Sequence, residues 1–127
     1  MRMVNDMDEN RYFPFCEGES WQARTDLLLG NEKAERLRKS HVLVIGLGGV
    51  GGLASEMICR AGIEKMSIAD GDIVEATNRN RQCAALTSTV GRSKAEVMAE
   101  RLLDINPELE LSVYNEYLQE EKMVELL

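Results

Sequence analysis

Short apolar runs alternate with amphipathic stretches along most of the chain, and their order predicts an α/β fold. Residues 41–46, HVLVIG, are continuously apolar and end in glycine, which is typical of a strand buried on both faces of a parallel sheet. Further strands are predicted at 65–70, KMSIAD, and at 109–114, LELSVY. Helices are predicted between these strands, at 53–62 and 93–105. Strands that alternate with helices predict a Rossmann-like, mostly parallel sheet with flanking helices.

Other elements are predicted on both sides of this core. Two short helices, at 20–29 and 31–39, precede the first strand, and a last helix is predicted at 118–127. Residues 1–19 are acidic and irregular, and we expect them to form a flexible tail. Open sheets of this class usually hold more than three strands, so we expect residues 20–127 to be an incomplete domain, the N-terminal half of a larger one.

The charge balance limits the classes of partner. The chain has 127 residues and a net charge of −7. Bulk attraction to nucleic acid is therefore excluded, because phosphate neutralisation needs clustered lysine and arginine, although a local basic patch stays open. No apolar run reaches the roughly 20 residues of a membrane span, and the N-terminus lacks the apolar centre of a signal peptide. We therefore expect a cytoplasmic protein.

The three cysteines, Cys16, Cys59 and Cys83, match no familiar framework. An odd number at wide spacing argues against disulfides, and no CxxC pair suggests zinc. Cys59 falls on a predicted helix and is expected to act as a small buried apolar residue. Cys83 follows a polar loop, and a redox or nucleophilic role for it stays open.

The glycine-rich segment between the first strand and its helix is the first candidate site. Gly46, Gly48, Gly49 and Gly51 form the pattern GxGGxG. A phosphate approaches the backbone closely only where side chains are absent, and a helix N-terminus offers free N–H groups and partial positive charge. The strand before and the helix after the loop favour nucleotide binding over a tight turn without a ligand.

The polar loop at 70–82, DGDIVEATNRNRQ, indicates which nucleotide is bound. Asp70 ends the second strand and is placed to accept hydrogen bonds from ribose hydroxyls, which NAD, FAD and ATP all carry. Arg81 and Lys94 are two cations suited to phosphate, the first as a fork and the second as a point charge. Together they suit a triphosphate, whereas NAD has a diphosphate and reacts far from it. A solvated charged loop and a dinucleotide-binding redox domain stay open as alternatives. Further polar candidates in this loop are Asp72, Asn78 and Asn80.

Four segments in register carry a family resemblance. They are RTDLLLG, VLVIGLGGVGG, ADGDIVEATNRNRQ and VGRSKAEVMAERLLDINPE, which begin at residues 24, 42, 69 and 90. Together they resemble the ThiF/MoeB/HesA superfamily, the bacterial relatives of ubiquitin-activating enzymes. Within it they are most similar to the branch that contains the tRNA threonylcarbamoyladenosine dehydratases. The glycines then match the family's phosphate loop, and Asp70 matches its ribose-binding aspartate.

The resemblance also implies roles for individual polar residues. Asn78, Arg81 and Lys94 match residues that contact the phosphates of ATP, and Asn80 lies between them. Arg24 matches an N-terminal arginine that reaches into the ATP site of the partner subunit, so a homodimer is implied. Arg81, Lys94 and, in trans, Arg24 are the catalytic residues that the resemblance implies.

The implied activity is ATP-dependent adenylation of a substrate carboxylate, with ATP and Mg²⁺ as cofactors. In the most similar branch the carboxylate belongs to threonylcarbamoyladenosine in tRNA, and its activation leads to cyclisation with loss of water. In other members it is the C-terminus of a ubiquitin-like sulfur-carrier protein. The family's Mg-binding aspartate falls beyond Leu127, so no metal ligand is assigned. A non-catalytic nucleotide-binding or dimerisation module therefore stays an alternative.

Overall fold

The computed structural model describes residues 20–127, so the predicted acidic tail and Cys16 lie outside the described residues. The elements follow in the order α1 Ala23–Leu29, α2 Asn31–Arg38, β1 His41–Ile45, α3 Gly51–Arg60, β2 Lys65–Ala69, α4 Lys94–Ile105, β3 Glu110–Tyr114 and α5 Glu120–Glu125. Each predicted helix and strand is present within a few residues, which confirms the α/β class. The polar loop also contains a 3-10 helix, Ala76–Asn80, that the sequence pattern did not predict. No helix within the described part of the chain is long and apolar enough to cross a membrane.

The sheet is parallel, with the strand order β1-β2-β3. Val42, Met66 and Leu111 are aligned across it in register. Two successive crossovers in the same direction place their helices on the same face, because such connections are right-handed, and α3 accordingly packs against α4. The reversal of strand order that marks a doubly wound sheet does not occur within residues 20–127.

The core fills the space between the sheet and the two helices α3 and α4 that pack on one of its faces. Met66 and Ile68 of β2 are fully buried, as are Met98 and Leu102 of α4. Apolar burial of this kind contributes about 1.5–3 kcal/mol for each large side chain. The core therefore fixes α3 and α4 against the sheet and, with them, the loops at the carboxyl ends of the strands.

A buried carboxylate links the two crossover helices. Glu56 of α3 is buried and accepts hydrogen bonds from Arg101 of α4 at 2.7 Å and from Arg60 at 3.0 Å. Donation from Arg101 and then from Arg60 lowers the pKa of the Glu56 carboxyl below its ordinary value of 4.5, against the opposing effect of burial. The charged form is therefore the one that stabilises the fold.

Replacing Glu56 by glutamine is expected to lower the free energy of unfolding at pH 7 by about 1–3 kcal/mol, because hydrogen bonds to a charged group are lost. Since the folded-state pKa is depressed, this stabilisation is present above pH 4.5 and is lost as the pH falls through the folded-state pKa. Urea unfolding of both proteins between pH 7 and pH 3 measures the difference, which should shrink at the acid end. Glu108 is exposed, so Glu108→Gln serves as the control. A difference in the free energy of unfolding that does not change with pH would contradict this role of Glu56.

Candidate functional site

A cavity opens at the carboxyl ends of β1 and β2, where the glycine-rich segment and the polar loop meet. Its volume is about 520 Å³. Parallel strands bring the residues that follow them to one edge of the sheet, which is where open α/β sheets bind ligands. The lining residues are Gly46, Gly48, Asp70, Asp72, Ile73, Glu75, Asn78, Arg81, Gln82 and Lys94.

Two glycines shape the loop, and two border its open side. Gly46 has a φ of 85°, a conformation that favours glycine. At Gly51 a Cβ would lie 1.7 Å from the carbonyl oxygen of Gly46, so α3 starts in direct contact with the end of β1. Gly48 lines the cavity, and Gly49 lies beside the Arg81 side chain. The loop is thus built by Gly46 and Gly51, whereas Gly48 leaves room for a ligand.

Asp70 joins the glycine-rich segment to the polar loop. Its carboxylate accepts from the backbone N–H of Leu47 at 2.7 Å and from that of Asp72 at 2.7 Å. Asp70 is only 8% exposed, yet it lines the cavity. A carboxylate has about four acceptor positions, so it still has capacity for the hydroxyls of a ribose. The same side chain therefore organises the site and offers acceptors within it.

The 3-10 helix positions Asn78 and Arg81. The Asn78 Oδ1 accepts from the Glu75 N–H at 2.9 Å and so caps the first turn of this helix. Asn78 is buried and lines the cavity, and since Oδ1 is engaged, the NH₂ group is the part of the carboxamide that can donate to a ligand. Arg81 donates from Nη1 to Asn80 Oδ1 at 2.9 Å, and its side chain lies about 3.9 Å from where a Cβ of Gly49 would be. The guanidinium therefore folds back towards the glycine-rich segment, as a phosphate ligand would require.

Lys94 provides the second cation in the lining of the cavity. It is the first residue of α4, and its backbone N–H donates to the Asp72 carbonyl at 3.0 Å. Its side chain is 8% exposed, and its Nζ lies 3.8 Å from Asp72 Oδ2. That separation is longer than a charge-assisted hydrogen bond, which is about 2.7–2.9 Å. The ammonium is thus held near one carboxylate without a close bond to it.

Some predicted site residues do not line this cavity. Arg24 is exposed on α1 and does not line the cavity of its own chain. Asn80 contacts Arg81 and does not face the cavity itself. Gly49 and Gly51 lie outside the lining. For these residues a direct role in ligand binding stays a prediction.

Three lining residues were not among the predicted ones, namely Ile73, Glu75 and Gln82. Ile73 is an exposed apolar side chain next to the buried Val74, and the sequence pattern does not distinguish the two. Gln82 is 7% exposed, and its Oε1 is buried without a hydrogen-bond partner among residues 20–127. A buried amide with an open acceptor is expected to meet a polar group of a ligand or water.

Neither a metal cluster nor a reactive thiol is built into the described residues. Within residues 20–127 no three His, Cys, Asp or Glu side chains are grouped to hold a metal ion. Mg²⁺ is commonly held by one or two carboxylates together with substrate phosphates and water, and only that mode fits the carboxylates lining the cavity. Burial raises the pKa of the Cys59 and Cys83 thiols, which argues against a thiolate nucleophile at either position.

The chain is similar to known proteins in sequence and in structure. The tRNA threonylcarbamoyladenosine dehydratase of Bacillus subtilis is 43% identical over 99 residues, which are 78% of this chain and 39% of that protein. The molybdopterin-synthase adenylyltransferase of Salmonella typhimurium is 34% identical over 96 residues, 76% of this chain and 39% of that protein. The crystal structure of Escherichia coli tRNA N6-threonylcarbamoyladenosine dehydratase in complex with ATP is similar with a TM-score of 0.75 and 35% identity, over 91% of this chain and 45% of that one.

The extent of these matches differs between this chain and its relatives. The chain spans about two fifths of the length of the two relatives whose sequences it matches. The model of the ThiF family matches residues 21–127, which include every element from α1 to α5 and the whole cavity lining. This chain belongs to the ThiF family.

Proposed function

We propose that the chain binds Mg-ATP in this cavity and provides the nucleotide site of an enzyme that adenylates the carboxylate of threonylcarbamoyladenosine in tRNA. The observation that carries the proposal is that Arg81 and Lys94 line one cavity together with Gly48 and Asp70. Two cations beside a glycine-rich loop suit a triphosphate, and the buried carboxylate suits ribose hydroxyls. The relatives supply the reaction class, since one is named an adenylyltransferase and one is a dehydratase of tRNA threonylcarbamoyladenosine.

The chemistry needs charge neutralisation more than it needs a base. A carboxylate is already ionised near neutral pH, so it attacks the α-phosphorus without losing a proton. The bond from the α-phosphorus to the bridging oxygen breaks, and pyrophosphate leaves with the electron pair. Arg81 and Lys94 are suited to stabilise the charge that develops on the phosphates, and bound Mg²⁺ would neutralise further phosphate charge. The product is an acyl-adenylate, from which the modified base cyclises as AMP leaves, with net loss of water.

We also propose a homodimer in which Arg24 of one subunit completes the site of the other. Arg24 is exposed on α1 and lies outside the cavity of its own chain. The same helix exposes Leu27 by 86% and Leu28 by 84%, which is unusual for neighbouring leucines unless another surface covers them. A partner that covers α1 would bury these leucines together with the arginine.

Adenylation of the C-terminus of a ubiquitin-like sulfur carrier is the alternative substrate assignment. The similarity to a molybdopterin-synthase adenylyltransferase favours the same reaction on a different carboxylate. Pyrophosphate exchange into ATP, measured with tRNA carrying threonylcarbamoyladenosine and separately with a sulfur-carrier protein, distinguishes the two substrates. Exchange with the carrier alone would contradict the tRNA assignment.

Calorimetric titration with Mg-ATP and separately with NAD tests the nucleotide assignment. We expect Mg-ATP to bind and NAD to bind far more weakly, and we expect Arg81→Ala to weaken ATP binding at least tenfold, about 1.4 kcal/mol, because a forked contact to phosphate is lost. Arg79→Ala is the matched control, since Arg79 belongs to the same 3-10 helix and donates to Thr87 instead. Preferential binding of NAD would replace the proposal with a dinucleotide-binding redox domain.

A further inference from the structure

The segment after β3 reaches the candidate site through the side chain of Tyr117. The hydroxyl of Tyr117 donates to Asp72 Oδ1, while the other carboxylate oxygen of Asp72 lies 3.8 Å from Lys94 Nζ. Asp72 is therefore flanked by a tyrosine on the solvent side and a lysine on the cavity side. Nothing in the sequence pattern had associated Tyr117 with the nucleotide site.

The position of the tyrosine ring depends on Gly71. A Cβ at Gly71 would lie 2.6 Å from the Cδ2 and Cε2 atoms of Tyr117, so the ring rests directly on the glycine backbone. Gly71 does not have a positive φ. Its lack of a side chain therefore serves the approach of the ring and not a strained turn.

The carboxylate of Asp72 has two partners, one at each oxygen. The backbone N–H of Lys94 already donates to the carbonyl of Asp72, which keeps the two residues adjacent. An ammonium and a carboxylate that are free to rotate would close to a bond of about 2.7–2.9 Å. The hydroxyl of Tyr117 engages Oδ1 and so restrains rotation of the carboxylate, whose Oδ2 lies 3.8 Å from the ammonium. Acceptance by Asp72 also raises the pKa of Tyr117, so the hydroxyl keeps its proton and remains the donor at neutral pH.

We propose that Tyr117 is a positioning residue for the nucleotide site, which holds the Asp72 carboxylate at a distance from Lys94 and so leaves the ammonium available to a phosphate. This inference rests on the proposed binding of ATP. It assigns Asp72 a different role from the predicted direct contact with the nucleotide. Asp72 orients Lys94 and partly neutralises the charge of its ammonium. Tyr117 keeps the two groups from forming a close ion pair.

Two substitutions disturb the arrangement in different ways. Tyr117→Phe removes only the hydroxyl, and Gly71→Ala displaces the ring. Each is expected to weaken Mg-ATP binding by calorimetry about fivefold, because Asp72 then pairs closely with Lys94 and competes with phosphate. Tyr114→Phe is the matched control, since it removes a hydroxyl from a tyrosine of β3 whose ring lies under Lys122. In an Asp72→Asn background Tyr117→Phe should have no further effect, whereas a purely structural role would persist there.

A crystal structure of the Tyr117→Phe chain separates this inference from the proposed function. The distance from Lys94 Nζ to the nearer Asp72 oxygen is expected to shorten from 3.8 Å to hydrogen-bond length. If the original chain fails to bind Mg-ATP, the proposed function fails, and this distance still decides the role of Tyr117. An unchanged distance in the variant, or unchanged affinity in a chain that does bind Mg-ATP, would overturn the inference.

Discussion

Replacing Lys94 by glutamine is expected to weaken Mg-ATP binding by about 2–3 kcal/mol, roughly thirtyfold or more, because a charge-assisted contact to phosphate is lost in a largely buried position. The Lys94 side chain is 8% exposed, so water screens it little. The ammonium has no close carboxylate bond to give up, since Asp72 Oδ2 is 3.8 Å away. The ammonium can therefore interact with a phosphate of the ligand without first breaking an ion pair. Calorimetric titration with Mg-ATP measures the loss.

The control for this prediction is Lys65→Gln. Lys65 begins β2, at the end of the strand away from the cavity. Its ammonium forms a solvent-exposed ion pair with Glu110. An exposed pair of this kind contributes only about 0–1 kcal/mol, and the substitution should leave nucleotide affinity unchanged. Thermal unfolding of both variants shows whether the fold is kept. Equal affinities of the Lys94 variant and the original chain would place the phosphates elsewhere.

Replacing Gly51 by alanine is expected to destabilise the fold by at least about 3 kcal/mol, because the new methyl group has no room. Its Cβ would lie 1.7 Å from the Gly46 carbonyl oxygen and 2.8 Å from the Gly46 carbonyl carbon. Both atoms belong to the backbone, so no side-chain rotation relieves the contact. The first turn of α3 would have to move away from the end of β1, and the core between them would open. Urea unfolding followed by circular dichroism measures the loss.

Gly49→Ala is the matched control two positions earlier in the same loop. A Cβ there would meet only the Arg81 side chain, at 3.9 Å, and the position has no positive φ. Its free energy of unfolding should stay close to that of the original chain. If Gly51→Ala were equally stable, α3 would not be anchored to β1 in the way the structure shows.

The fold class was accessible from the sequence because burial periodicity is a local property. The continuous apolar run at 41–46 and the amphipathic run at 93–105 became β1 and α4 with small shifts at their ends. The expected burial of β1 on both faces was wrong, because β1 is an outer strand of the described sheet and its residues are half-buried or exposed. The start of α3 was predicted two residues late, at 53 instead of Gly51. The glycines of the loop suggested an irregular segment, whereas Gly51 and Gly52 form the start of the helix.

Parts of the candidate site were accessible for the same reason. The glycine pattern follows a strand and opens a helix, and Asp70 ends the next strand, so parallel pairing alone brings them to one edge. The 3-10 helix was not accessible, because it depends on Asn78 accepting from the Glu75 N–H within a segment that lacks apolar periodicity. The inclusion of Gln82 and Glu75 in the lining follows from that helix.

The α/β order, the phosphate-compatible loop and the residue types at the edge of the sheet could all be predicted from the sequence, because each depends on spacing along the chain. Three features depend on the folded structure: which of those residues share a cavity, the hydrogen bonds of Asp70 to two loops, and the contact of Tyr117 with Asp72 from 45 residues away. These features cannot be predicted locally, because a hydrogen bond between distant segments forms only when its atoms are placed to within a few tenths of an ångström. The packing of the core sets those positions, and no local sequence pattern encodes them.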